Sequence, residues 1–512
     1  MKPSRNHLCP CGSLKKYKHC CERKIETRPT LPMTELNKLN GLFNVKKFSE
    51  METHAILLLE HFPDEPAVWN LLASSLQMQG KDALAALKKT AELLPCNALV
   101  QINLADAFSS LGQHDEAVPI YRYALEIKPN FAEAHHGLGL ALKKLGQIDN
   151  AVMCYRRALE IKPDFTEAKG NLGISLRLLG QLDEAESIYR HLLKLHPESA
   201  QTHLVLGNTL CDLDKQEQAA IEYQKALDLD PENYGLEAAI HLATLHYLDE
   251  NFEECRSKLF ESRLVNNNVA LNKNGAGVYW RYLNSLLSWH QKFSQKHKST
   301  QDMEIMYVIG ESHSLTAHGI VVCYDGNKLR CKAEWIAGCK QWHLGNRKEN
   351  NYKYKFESIM ARLPSNSTVL ICIGEIDCRY NEGILKVWKK YPDKALTEIT
   401  QSTIVAYVNY VATIGARYGH KMILEGVPAP NVSLNMLNVS TIEQLTNLIR
   451  IFNSTLKLQA ISAGMDFLDV YDLTHCGDGT ANGKWHIDEY HLLPSAVVES
   501  FSRLLPLKYG VQ

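Results

Sequence analysis

Residues 132–165 read AEAHHGLGLALKKLGQIDNAVMCYRRALEIKPDF, and the spacing inside this stretch recurs on both sides of it. A proline returns every 34 residues, at Pro129, Pro163, Pro197 and Pro231, with Pro95 in the same phase upstream. A small residue keeps step at Ala105, Gly139, Gly173 and Gly207. A glycine follows at Gly112, Gly146 and Gly180, until Asp214 breaks the series. Alanine recurs at Ala117, Ala151, Ala185 and Ala219, and tyrosine at Tyr121, Tyr155, Tyr189 and Tyr223. A sustained period of this length marks a helix–turn–helix unit.

Each recurring position has a physical task. Small residues let the two helices of a unit approach closely. The glycine closes the turn between them. The tyrosine fills the gap against the neighbouring unit, and the proline ends the second helix. One long amphipathic helix is excluded by the regular glycine and proline breaks. The pattern resembles the tetratricopeptide repeat (TPR) family, which implies an α-solenoid that binds protein or peptide partners and has no chemistry of its own.

The array is expected over residues 34–290, with regular units at 66–97, 98–131, 132–165, 166–199 and 200–233. Phe48, Met51, Ala55 and Pro63 fit the second helix of a degenerate first unit. Ala243, Phe252 and Cys255 fit a late unit shifted by two residues, and Val278 to Trp289 reads as a capping helix. Terminal units depart from consensus because one face meets solvent or another domain. A concave face formed by the first helices would carry Asn103, Asp106, His136, Lys143, Asn171, Arg177 and Asn208. These suit an extended peptide, although such polar residues also occur on merely solvated helix faces. Asn103 and Asn171 share a repeat position, which resembles the asparagine ladder of O-linked N-acetylglucosamine transferases, interrupted here by Gly137 and Val205.

The first 21 residues hold four of the 14 cysteines: Cys9-Pro-Cys11 and, after a Lys-Lys-Tyr-Lys-His run, Cys20-Cys21. Four thiolates complete a closed tetrahedral zinc shell. Lys15, Lys16 and Lys18 offset its charge, and metal binding would supply the folding energy of so small a segment. The run resembles the SEC-C motif, which implies structural zinc on Cys9, Cys11, Cys20 and Cys21, with His19 as a spare ligand, and a docking module over residues 1–26. A charged linker with two prolines follows, to about residue 33.

Beyond the polar, basic segment Gln291 to Gln301 the period changes. Short apolar runs at Ile305–Ile309, Thr368–Ile373, Met422–Leu424 and Met465–Val470 read as buried strands. Helical patterns lie between and after them, around Leu396 to Tyr418, Thr441 to Ala463 and Pro494 to Leu505. This alternation predicts a three-layer α/β domain with a parallel sheet over residues 302–512. Ligands bind such sheets at the carboxyl ends of the strands. The first strand runs into Gly310-Glu-Ser312-His313, and Asp488-Glu-Tyr-His491 lies before the final helix. Serine, histidine and aspartate in these places can form a nucleophile, a base and an orienting carboxylate.

The arrangement resembles the SGNH/GDSL hydrolase superfamily: Gly310-Glu-Ser312 stands for its Gly-Asp-Ser, Asp488-x-x-His491 for its Asp-x-x-His, and Gly374 opens the block corresponding to Gly-x-Asn-Asp. The resemblance implies catalytic Ser312, Asp488 and His491, with the Ser312 backbone N–H as an oxyanion donor. Gly338, Gly374, Glu375, Asp377, Arg379 and His313 are further oxyanion or substrate candidates, with Gly345 an alternative to Gly338. The family's asparagine is Ile376 here, which has no side-chain donor. Loss of such a donor typically costs on the order of 3 kcal/mol of transition-state stabilisation. His313 and His486 read as ordinary hydrogen-bonded histidines near the site.

With a net charge of −1, no overall field favours nucleic acid. No run is long and apolar enough to span a membrane, and the N-terminus lacks a signal-peptide core, so a cytoplasmic protein is expected. Two readings follow. One is an SGNH-type serine esterase or O-acyltransferase acting on an acyl ester, served by protein-binding zinc and TPR modules. The other is a non-catalytic adaptor with a degenerate SGNH-like domain. A glycosyltransferase is disfavoured, because the C-terminal region is short and has no glycine-rich phosphate loop.

Overall fold

The computed structural model describes Lys16 and residues 31–265, 276–293, 303–431 and 437–504, apart from positions 381, 392 and 490. The expected zinc ligands Cys9, Cys11, Cys20 and Cys21 lie outside the described residues. The chain divides between Leu176 and Arg177 into two compact units.

The first unit is built of antiparallel helix pairs: α1 (Met33–Asn44) and α2 (Phe48–His61), α3 (Pro66–Met78) and α4 (Leu84–Leu93), α5 (Ala98–Ser110) and α6 (His114–Ile127), α7 (Ala132–Lys144) and α8 (Ile148–Ile161), then α9 (Thr166–Leu178), whose last turn holds the division. Pro66 opens α3 at a position that needs no N–H donor. The Asn97 side chain caps α5 by accepting from the N–H groups of Leu99 and Val100. Gly112 takes φ +74° after α5, and the next N–H, of Gln113, returns to the Phe108 carbonyl at 2.9 Å. This closes the helix in a left-handed turn. A Cβ on Gly137 would lie 2.7 Å from the Tyr121 ring, and one on Gly139 2.7 Å from Tyr155. Each tyrosine is thus seated where a glycine has cleared the space.

The second unit continues with α10 (Leu182–Leu195), α11 (Ala200–Asp212), α12 (Gln216–Leu229), α13 (Gly235–Leu248), α14 (Phe252–Val265) and α15 (Ala276–Phe293). Its α/β part runs β1 (Ile305–Gly310), α16 (Ser312–Ala317), β2 (Val321–Tyr324), β3 (Asn327–Trp335), α17 (Gln341–Gly345), α18 (Asn351–Arg362), β4 (Thr368–Cys372), α19 (Gly383–Lys390), α20 (Leu396–Tyr418), β5 (Lys421–Glu425), α21 (Val439–Ser462), β6 (Asp466–Leu468), α22 (Val470–Thr474) and α23 (Pro494–Arg503). The break in the glycine series has a cause here. Asp214 takes the left-handed turn with φ +62°, and its carboxylate pairs with Lys355 at 3.2 Å and with Arg362. Lys355 also donates to the Cys211 carbonyl at 2.6 Å.

The sheet order is β2-β3-β1-β4-β5-β6. Strands β3, β1, β4, β5 and β6 are parallel, but β2 pairs antiparallel with β3. The sheet is therefore mixed, which corrects the expectation of a wholly parallel one. Asp325 and Gly326, both with positive φ, join β2 to β3 in a two-residue turn, and an Asp-Gly pair favours such a hairpin.

Along β4 the side chains alternate between two cores. Val369 and Ile371 face a cluster that includes Phe356, Val411 and Phe452 from α18, α20 and α21. Leu370 and Cys372 face a cluster that includes Ala317 and Phe501 from α16 and α23. A parallel strand buried on both faces forms the middle of three layers. Chain order reverses between β1 and β4, so the crevice for a ligand is expected beyond the carboxyl ends of these two strands.

Candidate active site

Gly310 ends β1, and a Cβ there would collide with the Cys372 backbone of β4. The residue thus allows β4 to lie close against the end of β1. Ser312 is the first residue of that helix and is fully buried. Glu311 caps it: one carboxylate oxygen accepts from the Ser312 N–H at 2.5 Å and from the Ser312 hydroxyl, and the other accepts from the Tyr279 hydroxyl. Burial would raise the Glu311 pKa, but the hydrogen bonds from Ser312 and Tyr279 and the charge of Arg379 outweigh it and hold the group below its ordinary value. Glu311 is an ionised acceptor at the heart of the site.

His491 is presented by a short hairpin in which Ile487 N donates to His491 O at 2.7 Å and Leu493 N to Trp485 O at 2.8 Å. Its Nδ1 lies 2.7 and 2.9 Å from the two carboxylate oxygens of Asp488. A carboxylate accepts, so Nδ1 carries the proton and Nε2 is left with a free lone pair. That Nε2 is buried and has no hydrogen-bond partner among the described residues. Tyr282 stacks on the imidazole at 3.9 Å, and its hydroxyl donates to the Ser312 carbonyl at 2.6 Å and lies 2.6 Å from Thr316 Oγ1. Tyr279 and Tyr282 both belong to α15, which therefore covers the site.

The structure brings Asp488 and His491 together as expected from their spacing. It gives the Ser312 hydroxyl to Glu311 rather than to His491. The Ser312 N–H, expected to serve as an oxyanion donor, is likewise occupied by Glu311, because a buried carboxylate one residue away is the stronger acceptor. His313 is buried beside His491 with ring centroids 5.7 Å apart. Burial pushes its pKa down to about 3, so it is neutral, and its Nε2 has no partner among the described residues. Burial also lowers His486.

Gly374 follows β4 with φ +148°, where a Cβ would meet Gln341 Nε2 at 2.9 Å and Phe452 at 3.1 Å. Glu375 and Arg379 form a bidentate pair with distances of 2.8 and 2.9 Å, and Arg379 lies 3.7 Å from Glu382. Burial would lower the Arg379 pKa, but these carboxylates raise it, so the guanidinium stays charged. Asp377 does not use Arg379. It accepts from the backbone N–H of Gln341 at 2.7 Å and from that of Trp342. Burial pushes its pKa up to about 6. Ile376 is buried. Gly338 takes φ +68° in the turn after β3, whereas Gly345 packs against the Ala406 and Tyr407 backbone. Glu375, Arg379, Tyr380, Val427, Ala429 and Glu489 line a crevice at the ends of β4 and β5.

Three residues escaped the sequence reading. Glu311 had a signal, since it occupies the acidic position of the Gly-Asp-Ser block. Tyr279 and Tyr282 had none, because nothing periodic marks them.

Of the groove candidates, Lys143 Nζ donates to Asn171 Oδ1 at 2.6 Å, and Asn171 Nδ2 lies 3.1 Å from His136 Nε2. These three form one cluster, and burial lowers the pKa of both His136 and Lys143. Asp106 accepts from Tyr121 and Asn103 is half-buried. Arg177 is paired with Asp212 at 2.7 Å and Asn208 accepts from Tyr223 at 2.8 Å. Among the described residues no group of three or more His, Cys, Asp or Glu is placed to hold a metal ion, and no helix is long and apolar enough to cross a membrane.

Comparison with known proteins bears on the repeats and the N-terminus. The family described as TPR repeat matches residues 105–146, and two patterns described as Tetratricopeptide repeat match 132–165 and 171–234. The SEC-C motif matches residues 5–23. The chain thus contains TPR repeats and a SEC-C motif. No curated protein matches it. Among solved structures it is similar to MamA 41-end from Desulfovibrio magneticus RS-1 (21% identity, 33% of this chain and 96% of that one, TM-score 0.32). It is similar to YrrB, described as a TPR protein with an unusual peptide-binding site (19%, 38% and 97%, 0.32). A third is a tetratricopeptide repeat protein from Parabacteroides merdae ATCC 43184 (16%, 49% and 98%, 0.40).

Proposed function

We propose that this protein is a TPR interaction scaffold carrying an SGNH-type serine hydrolase or acyltransferase domain. In this reading residues 1–26 form a zinc-binding docking module, 34–290 the repeat array and 302–512 the acyl-transfer domain. The observation that carries it is the Asp488–His491 pair: a tautomer fixed by two short contacts, with a buried, unpartnered Nε2 beside the segment that bears Ser312. Ser312 Oγ attacks the acyl carbon of an ester while its proton passes to His491 Nε2. His491 returns that proton to the departing alcohol. Water or an acceptor hydroxyl then releases the acyl group from Ser312 by the reverse proton path. Asp488 holds the imidazole and balances its cation.

The repeats bring a protein or peptide partner, with His136, Lys143 and Asn171 as the polar cluster that would meet a peptide backbone. The four-thiol donor set of Cys9, Cys11, Cys20 and Cys21 suits zinc, which would close that segment as a structural ion. Among the described residues no cysteine is in a disulfide, which suits a reducing compartment such as the cytoplasm.

Labelling the full-length protein with a fluorophosphonate tests the chemistry. Mass spectrometry should find adduct on Ser312 and none in Ser312→Ala. A folded protein that takes no label points instead to the adaptor reading. One arrangement favours that alternative: Ser312 is fully buried with its hydroxyl on Glu311, and Ile376 offers no oxyanion donor.

A further inference from the structure

The turn that carries Glu375 and Arg379 into the crevice also contributes Asp377 to a second cavity, of about 600 Å³. Lys340, Trp342, His343, Lys386, Tyr391 and Lys394 line it, from α17, α19 and the segment leading to α20. Its size is that of a small-ligand site. Two large aromatics stand open to it: Trp342 is 55% and Tyr391 49% exposed. The structure secures the tryptophan from behind, since its backbone N–H is held by the buried Asp377 carboxylate.

The charge in this cavity is one-sided. Lys340 is matched by Glu382 at 3.1 Å. Lys386 and Lys394 are exposed and have no anionic partner among the described residues. Among the described residues of the lining Asp377 is the one acidic group, and its carboxylate is turned onto backbone N–H groups. His343 adds an oriented donor. Its Nδ1 accepts from Lys340 N at 3.0 Å and its ring stacks on Tyr352 at 4.0 Å, so the remaining ring N–H is on Nε2. Burial pushes its pKa down to about 4, so that tautomer holds at neutral pH.

We propose that this cavity binds an anionic saccharide, its sugar rings lying against Trp342 and Tyr391 and its carboxylates facing Lys386 and Lys394. Sugar C–H groups carry a partial positive charge that the negative face of an aromatic ring attracts. Lysines act as point charges for carboxylates. A nucleotide is less well served, because the first N–H groups of α17, which would otherwise cradle a phosphate, are taken by Asp377. The site stands whether or not Ser312 is reactive.

Titration calorimetry on the full-length protein with trigalacturonate tests this, against neutral maltotriose and against AMP. Trigalacturonate should bind, weakening tenfold or more in Trp342→Ala, in the Lys386→Glu/Lys394→Glu double variant, and when salt is raised from 0.05 to 0.5 M, roughly a threefold shorter screening length. Maltotriose should give no measurable binding at the same concentrations. Absence of binding by trigalacturonate, or equal affinity in the charge-reversed double variant, overturns the proposal. AMP binding tighter than trigalacturonate, and lost in the same variants, overturns the saccharide assignment in favour of a nucleotide.

Discussion

Two sets of tyrosines in this molecule serve opposite purposes, although Tyr155, Tyr189 and Tyr282 are all fully buried and Tyr279 is partly so. Tyr155 and Tyr189 in the repeats fill space; their hydroxyls are buried and unpartnered among the described residues. Tyr279 and Tyr282 of α15 each direct a hydroxyl onto the Ser312 segment, to Glu311 and to the Ser312 carbonyl. A repeat can tolerate a wasted hydroxyl because ring packing supplies most of the stabilisation. At the Ser312 site the polar groups themselves are buried, so each must find a specific partner.

The largest test of this contrast removes backbone room. Gly310→Ala should destabilise the second unit by about 3 kcal/mol or more, because the added Cβ meets backbone that cannot move aside. Gly112→Ala in the first unit has open space and only a left-handed backbone to resist it, so about 1 kcal/mol is expected. Denaturant unfolding of both variants checks the order; equal losses would break the comparison.

A second test titrates the sheet. Glu425 ends β5 in the core, and burial pushes its pKa from 4.5 up to about 7, with Cys372 and Cys331 facing it. A carboxyl raised in the folded state favours folding by its protonated form. That contribution is complete below pH 4.5 and is lost as pH rises through 7. Glu425→Gln should therefore leave stability unchanged below pH 4.5 and raise it by roughly 3 kcal/mol at pH 8. A variant less stable than the parent at pH 8 would show that the carboxylate has a partner worth keeping.

The smallest effects separate the tyrosines directly. Tyr282→Phe removes a hydrogen-bonded hydroxyl and should cost about 1 kcal/mol. Tyr155→Phe removes an unpartnered one and should change the unfolding free energy by less than about 0.5 kcal/mol. If the two variants cost the same, the division between packing and site tyrosines fails.

The repeat helices were readable because their signal recurs: the packing of Tyr155 against Gly139 is re-stated two units on at Tyr223 with Gly207. In the α/β part four strands announced themselves as apolar runs. β3 did not, since Asn327–Trp335 carries four charged residues on a strand near the sheet edge, and β2 is only four residues long. The Asp-Gly turn between them was a legible hairpin signal. At the site, the spacing of Asp488 and His491 was local enough to be read. The capture of Ser312 by Glu311 was not, because it depends on which of two acceptors a buried hydroxyl can reach.

The amino-acid sequence by itself determined the helix pairs, the four-cysteine N-terminal motif, and the placing of Ser312 at a strand end and of Asp488 and His491 before the last helix, since each is a matter of spacing along the chain. Only the tertiary structure decided that α15 lies over Ser312, that Asp214 leaves the glycine series to pair with Lys355 and Arg362, and that Asp377 anchors the wall of a second cavity. Those contacts join residues 30 to 150 positions apart, to order of magnitude, where no local pattern constrains the partner and burial alone makes the choice.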